Sequence, residues 1–258
     1  MSFIILIKEK SLLFYLSLIS HNKVYTTKYS FRNNKATIHA IDINNWNQEI
    51  RIMEKAHNLS YPLIFKYKGE FYLLPNEKDI NEIALYKSTG FPSEWEKVTT
   101  LISNFNASDS TLFEHDKLWW LTCTSNNDSR HMKLYVYYSD NLFGPWLPHK
   151  KNPVKTDIRS SRPAGNILKY NDFLLRPSQD CSKTYGGRIV INKILKLTPE
   201  EFEEEPFKFL EINYERDFNK GIHTLNSIDK ITIIDGKRYV FSLSQINKLF
   251  RKKGIFKF

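Results

Sequence analysis

Residues able to do chemistry are densest between Ser160 and Arg188, SSRPAGNILKYNDFLLRPSQDCSKTYGGR, where Arg162, Arg176, Gln179, Asp180 and Tyr185 fall among three glycines. Guanidinium forks, a carboxamide, a carboxylate and an aromatic ring are the groups that hold a polar, multi-hydroxyl or phosphorylated ligand. Any one of them also reads as a turn residue of an ordinary β protein. Their density in one segment is what points to a site. Two strand-like runs, Asn166–Tyr170 and Phe173–Leu175, have to position them.

Those runs belong to an internal repeat. A strand-like run, a short turn and a tryptophan recur around Trp46, Trp95 and Trp146, a spacing of about 50 residues, and a degenerate copy (IVINKILKLTPEEF) puts Phe202 in the aromatic place. Ahead of each copy stands an apolar strand, a polar turn and an aromatic strand: FIILIKEKSLLFYL at Phe3, YPLIFKYKGEFYLL at Tyr61, DSTLFEHDKLWWLT at Asp109 and AGNILKYNDFLLRP at Ala164. A further copy, HTLNSIDKITIIDGKRYVFS, begins at His223 with Asp235-Gly236 as its turn. Lys-Gly, Asp-Lys, Asn-Asp and Asp-Gly between β-branched and aromatic runs are hairpin chemistry. Units of about 50 residues with four short strands predict an all-β, five-bladed β-propeller, with blades near 1–52, 59–98, 109–149, 160–207 and 220–246 and a basic tail at 249–258. A β-sandwich also uses many short strands, but has no reason to repeat a turn and tryptophan at near-constant spacing. Thr198–Glu205 is the one helix-like piece, expected as a capped turn between blades.

Composition narrows the function classes. The chain has 258 residues and a net charge of +10, which favours anionic partners such as phosphosugars or lipid head groups. Its lysines are dispersed without a basic helix or stripe, so no nucleic-acid partner is expected. Cys123 and Cys181, in strand or loop contexts, suit free thiols in a reducing, cytoplasmic setting better than a disulfide scaffold. The sequons at Asn58, Asn106 and Asn127 matter only in a glycosylating compartment. The apolar Ser11–Ser20 follows Lys8 and Lys10, but Glu9 interrupts the basic stretch and the run is too short to span a bilayer. Two strands around a Lys8-Glu9-Lys10 turn are expected instead. The tail 249–258 offers at most weak contact with an anionic membrane surface. There is no metal-ligand spacing, Gly-rich phosphate loop or nucleophile elbow, so no metal or cofactor is expected.

In a propeller the first strand of each blade lines the axis, so residues opening these strands converge. The openings are Tyr61-Pro62, Asp109, Ser161-Arg162 and His223-Thr224, with Glu77 and Arg176 to Asp180 at the far ends of the hairpins. Asp109 with Glu77 or Asp180 would make the carboxyl pair that glycoside hydrolysis needs. His223 suits acid or base work near neutral pH, although a lone histidine is more often structural. Arg162 and Arg176 suit bidentate recognition of phosphate or carboxylate, and Gln179 with Asp180 suits sugar hydroxyls, with Tyr185 and Tyr61 as further ligand contacts. His57, His115 and His149 fall in turns or between blades and are weaker candidates.

The strings SYPLIFKYKGEFYLLPNE, DSTLFEHDKLWWL, LFGPWLPHKKNPV, SRPAGNIL, RPSQDCSKTYG and GIHTLNS together resemble the N-terminal propeller region of plant glucosamine inositolphosphorylceramide transferase and its bacterial relatives, over about Leu59 to Gly236. That region is in turn similar to the five-bladed propellers of arabinanases, invertases and levansucrases. The resemblance implies glycan or glycolipid handling at the propeller axis, with transferase chemistry in a separate domain. It also implies a third-blade aspartate, matched by Asp109. The first-blade aspartate and fourth-blade glutamate of the related hydrolases have no counterpart at Met1-Ser2-Phe3 or Ser160-Ser161-Arg162. Three expectations follow: a glycan- or phosphoglycan-recognising propeller acting in glycosyl transfer or glycolipid assembly, a hydrolase with a rearranged carboxylate pair, or a non-catalytic protein-interaction propeller.

Overall fold

Two-residue turns set the strand pairing. Lys68-Gly69 and Asp116-Lys117 have φ of 48° and 87°, and of 49° and 64°. Positive φ at both central residues twists a hairpin in the sense its strands require. The computed structural model describes residues 3–6, 16–20, 23–30, 32–211, 219–228 and 231–237. Among them every regular element is a strand.

Four sheets are antiparallel meanders in chain order. The first joins β2 (Leu16–Ser20), β3 (Lys23–Ser30), β4 (Lys35–Asp42) and β5 (Glu49–Met53). The second joins β6 (Leu59–Tyr67), β7 (Glu70–Glu77), β8 (Glu82–Gly90) and β9 (Glu94–Ser103). The third joins β10 (Ala107–His115), β11 (Leu118–Ser125), β12 (Lys133–Ser139) and β13 (Leu147–Pro148), with β14 (Lys155–Thr156) also on β12. The fourth joins β15 (Leu168–Tyr170), β16 (Phe173–Asp180), β17 (Arg188–Leu197) and β18 (Phe202–Leu210). A remaining three-stranded sheet places β1 (Phe3–Leu6) parallel to β20 (Ile231–Ile234), which is antiparallel to β19 (Leu225–Ile228).

The first strands of neighbouring sheets touch, β2 with β6, β6 with β10 and β19 with β2. Leu225 N–H donates to Ala164 O at 2.7 Å, bringing β19 against the fourth sheet. This is a propeller-like ring. Five blades were expected, whereas the described residues form four complete blades and the three-stranded sheet. The correction lies at the N-terminus. β1 and β2 are both strands but do not pair with each other, because β1 pairs with β20 across the chain ends and β2 with β3. The Lys8-Glu9-Lys10 turn and the basic tail lie outside the described residues.

Apolar alternation packs the blades on one another. Leu59, Ile64 and Leu73 are fully buried with Tyr25 and Ile38, tying the first blade to the second. Trp119, Leu121 and Cys123 pack with Leu74 and Leu85, tying the second to the third. Each such side chain contributes about 1.5–3 kcal/mol through burial. The repeated tryptophans stand in the turns before or within the outer strands: Trp95 Nε1–H donates to Pro92 O at 2.7 Å and Trp146 Nε1–H to Leu142 O at 3.2 Å. Trp46 is 39% exposed.

The capped turn expected at Thr198–Glu205 is present but shorter, closing by Glu201. Thr198 Oγ1 accepts from Glu201 N–H at 3.0 Å, and β18 begins at Phe202. The strand wins because it pairs with β17 along its length and turns Glu204 inward to Arg176.

Candidate functional site

The inner strands share a device that re-aims one side chain toward the axis. β6 slips register between Ser60 and Leu63, and β10 between Ser108 and Thr111. At each slip a non-glycine residue takes a left-handed backbone, Tyr61 (φ 47°) and Asp109 (φ 56°). Such bulges bend a strand and redirect a residue.

The two redirected residues do different work. Tyr61 is a strut: its hydroxyl lies 2.9 Å from Thr111 Oγ1 and accepts Gly165 N–H at 2.6 Å, joining the second, third and fourth blades. Gly165 has φ +133°, and a Cβ there would lie 1.8 Å from Leu225 O, so only glycine lets this lead-in meet β19. Asp109 is wholly buried, with its Oδ2 2.6 Å from Arg162 Nε and 3.1 Å from Gln179 Nε2. Its Oδ1 has no hydrogen-bond partner among the described residues. Burial pushes the Asp109 carboxyl above its ordinary pKa, and the opposing pull of Arg162 only partly offsets it.

Arg162 organises the rest. Besides Asp109, its Nη2–H donates to Ser108 Oγ at 3.0 Å, while Nη1–H reaches His131 Nδ1 at 3.0 Å and Arg130 O at 3.4 Å. The guanidinium stands 5.1 Å from the Tyr185 ring centroid, and Tyr185 contacts the rings of His131 and His223 at 5.4 and 5.5 Å. His223 is held by Asp235, whose Oδ1 accepts the N–H of His223 and Thr224 at 2.9 and 2.7 Å and whose Oδ2 pairs with His223 Nδ1. Asp109, Arg162, Gln179 and His223, drawn from three separate stretches of the chain, are thus buried in one cluster with the half-buried Tyr185 against it.

The other candidates lie in separate networks. Glu77 Oε1 accepts Tyr86 O–H at 2.7 Å and its Oε2 faces His57 Nε2 at 2.5 Å. Asp180 accepts Ser182 N–H and O–H at 2.9 and 2.6 Å and Arg188 Nε–H at 2.9 Å. Burial pushes the Asp180 carboxyl up, but these donors hold it below its ordinary range. Arg176, expected at a ligand, is 1% exposed and forks onto Glu204 at 2.8 and 2.6 Å, with its remaining donors on Ser160 O and Ser161 O. Lys155 Nζ joins Glu204 at 2.7 Å. Burial opposes the Glu204 charge, yet Arg176 and Lys155 keep its pKa lowered.

Above the cluster opens a cleft of about 220 Å³. Its walls carry the cations Lys78, Arg130 and Arg162, the amides Asn58, Asn76 and Asn126, and hydroxyls including Ser60 and Ser108, with no carboxylate among the described residues. An adjoining cleft of about 480 Å³ shares Asn58 and Lys78 and adds Asn33, Lys35, His57 and Asp79. No group of three or more His, Cys, Asp or Glu able to hold a metal occurs among the described residues. Lys78, Arg130, His131 and Asp235 were not among the sequence candidates. Asp235 was visible as turn chemistry and Lys78 follows Glu77 directly, whereas the Arg130-His131 loop carries no periodic signal.

Comparison with known proteins places this architecture. Residues 9–237 match the family described as glucosamine inositolphosphorylceramide transferase 1, N-terminal. A protein named glucosamine inositolphosphorylceramide transferase 1 from Oryza sativa subsp. japonica is 39% identical over 159 residues, 60% of this chain and 21% of its own length. One of the same name from Arabidopsis thaliana is 33% identical over 200 residues, 72% of this chain and 26% of its own length. The chain therefore spans about a quarter of the curated relatives it matches. Among solved structures, an α-L-arabinofuranosidase from Lactobacillus brevis has a TM-score of 0.54 at 13% identity, covering 83% of this chain and 77% of its own. A thermostable family-43 glycoside hydrolase also scores 0.54, at 12% identity and 75% of both chains. These likenesses share the fold alone. By its sequence match over residues 9–237, the chain belongs to the family of the N-terminal region of glucosamine inositolphosphorylceramide transferase 1.

Proposed function

We propose that this propeller recognises a glycan at the end of its axis without hydrolysing it, and acts beside a separate glycosyltransferase in assembling a glycolipid or surface polysaccharide. The observation that carries the reading is the state of Asp109. Glycoside hydrolysis needs two carboxyl groups about 5–10 Å apart across the scissile bond, one to donate a proton and one to attack or activate water. Asp109 is instead locked onto Arg162 and Gln179, Glu77 and Asp180 are engaged in separate networks, and Asp235 is taken up by His223. The amides and hydroxyls lining the cleft are what a sugar needs for orientation and binding, rather than for bond cleavage. The family name and the propeller likeness both support a glycan-related role.

The test is a titration of neutral and phosphorylated mono- and oligosaccharides followed by calorimetry, with product analysis on the same samples. Saturable binding without new reducing ends is expected, weakened by Asn76→Ala and Asn126→Ala. Reducing ends that disappear in Asp109→Asn would establish a hydrolase instead, and a protein that binds no glycan would leave the interaction-scaffold reading.

A further inference from the structure

We propose that the two adjoining clefts form one bipartite site for a phosphate ester of a sugar, with the phosphate between Lys78 and Arg130 and the sugar ring beside His57 and Asn33. This rests on the glycan-binding reading and deepens it.

Three observations carry the assignment. The smaller cleft concentrates three cations and no carboxylate among the described residues, so an anion entering it meets attraction from several sides. Of these cations Arg162 is committed: its Nε faces Asp109, and its Nη groups face Ser108, His131 and the Arg130 carbonyl. It serves as a fixed wall. Lys78 and Arg130 are both exposed at the rim, and Lys78 has only a loose approach of 4.0 Å to the exposed Asp79. Ammonium and guanidinium groups that can turn inward are the ones able to make charge-assisted bonds to a phosphate.

The larger cleft fixes the orientation. It holds the Asp79 carboxylate, which repels a phosphate, and the Lys35 ammonium, which is taken up by the Lys55 carbonyl, and it supplies the His57 imidazole, anchored by Glu77, together with the Asn33 amide for hydroxyl groups. Lys78 and Asn58 line both clefts, so a ligand bridging them passes over Lys78. The phosphate therefore sits on the Arg130 side and the neutral ring on the His57 side.

Calorimetric titrations of the full chain with glucose 1-phosphate, myo-inositol 1-phosphate, glycerophosphoinositol, inorganic phosphate, glucose and myo-inositol test this. The expected result is that a phosphorylated sugar binds at least about ten-fold more tightly than its neutral parent, and that added salt erodes this advantage. Lys78→Ala and Arg130→Ala each weaken the ester about ten-fold and the neutral sugars by much less, while Lys78→Arg restores most of the loss. Glycerophosphoinositol matching the monoesters would identify a diester-linked head group as the source; preference for the monoesters would identify a free sugar phosphate. Either result supports the site. Equal binding of ester and neutral sugar, or indifference to both alanine substitutions, overturns the anion subsite while leaving glycan recognition intact. Inorganic phosphate binding as tightly as the esters overturns the bipartite arrangement, and no binding of any sugar overturns both readings.

Discussion

Arg162 Nε lies 2.6 Å from the Asp109 carboxylate, linking the third blade to the lead-in of the fourth through two side chains almost wholly withdrawn from solvent. Removing one partner of such a pair strands the other's charge, which costs more than the pair gains over an apolar replacement. Asp109→Ala is expected to lower unfolding stability by about 3–5 kcal/mol. Asp109→Asn keeps an oxygen acceptor for Arg162 and costs about 1–3 kcal/mol. Urea denaturation of the three proteins checks this; equal losses in the two variants would show that the oxygen acceptor retained by Asn does nothing for Arg162 and that the lost charge accounts for the whole cost.

The second buried ion pair makes a sharper comparison because it lies away from the clefts. Glu204 takes both arms of Arg176 and the Lys155 ammonium in the interior of the fourth blade. Glu204→Ala is expected to cost about 3–5 kcal/mol, leaving Arg176 buried without a counter-charge. The double substitution Arg176→Met with Glu204→Leu removes both charges and is expected to regain at least about 2 kcal/mol of that loss. Additive losses in chemical denaturation would contradict the coupling.

What the sequence made legible followed from periodicity. Alternating strands, turn pairs such as Lys68-Gly69 and the tryptophan spacing located most of the strand-rich units without coordinates. The axis logic brought Asp109, Arg162 and His223 together, although their chain separations give no local hint of contact. Two kinds of information were missing. Pattern identified Phe3–Leu6 as a strand but not its partner, and pairing with Ile231–Ile234 depends on ring closure between distant chain segments. Burial of charge was also illegible: Arg176 looks like Arg162 in sequence, and only the inward turn of Glu204 on β18 distinguishes a structural fork from a cleft wall.

The Tyr61 strut predicts an asymmetry between side-chain and backbone changes. Tyr61→Phe deletes the acceptor for Gly165 N–H and the contact with Thr111, and is expected to cost about 1–3 kcal/mol. Gly165→Ala adds a Cβ 1.8 Å from a backbone carbonyl at a positive φ, so relief requires movement of β19 itself. Its loss should exceed that of Tyr61→Phe in thermal and urea unfolding. A Gly165→Ala protein as stable as the parent would mean that the fourth blade and β19 do not meet as described.

Acid should loosen the site through His131. An arginine only donates, so the 3.0 Å contact from Arg162 Nη1 requires His131 Nδ1 to be unprotonated. Burial, then the charges of Arg162 and Arg130, pull the His131 pKa down to about 4 from 6.5. Between these values the unfolded chain binds a proton that the folded chain refuses, so the unfolded state gains as pH falls. The contribution is fully present above about pH 6.5 and is lost progressively toward pH 4. Because the ring is part exposed, screening reduces it to about 1–2 kcal/mol. Buried His39 and His149 are displaced in the same direction, so total acid sensitivity is not diagnostic. The diagnostic quantity is the difference between wild type and His131→Asn, which places a non-titrating acceptor near the Nδ1 position. Urea midpoints measured at pH 7.5, 6 and 5 should converge or cross as the pH falls, since only the wild type loses the His131 contribution. Parallel pH profiles would show that His131 does not hold Arg162 in its neutral form.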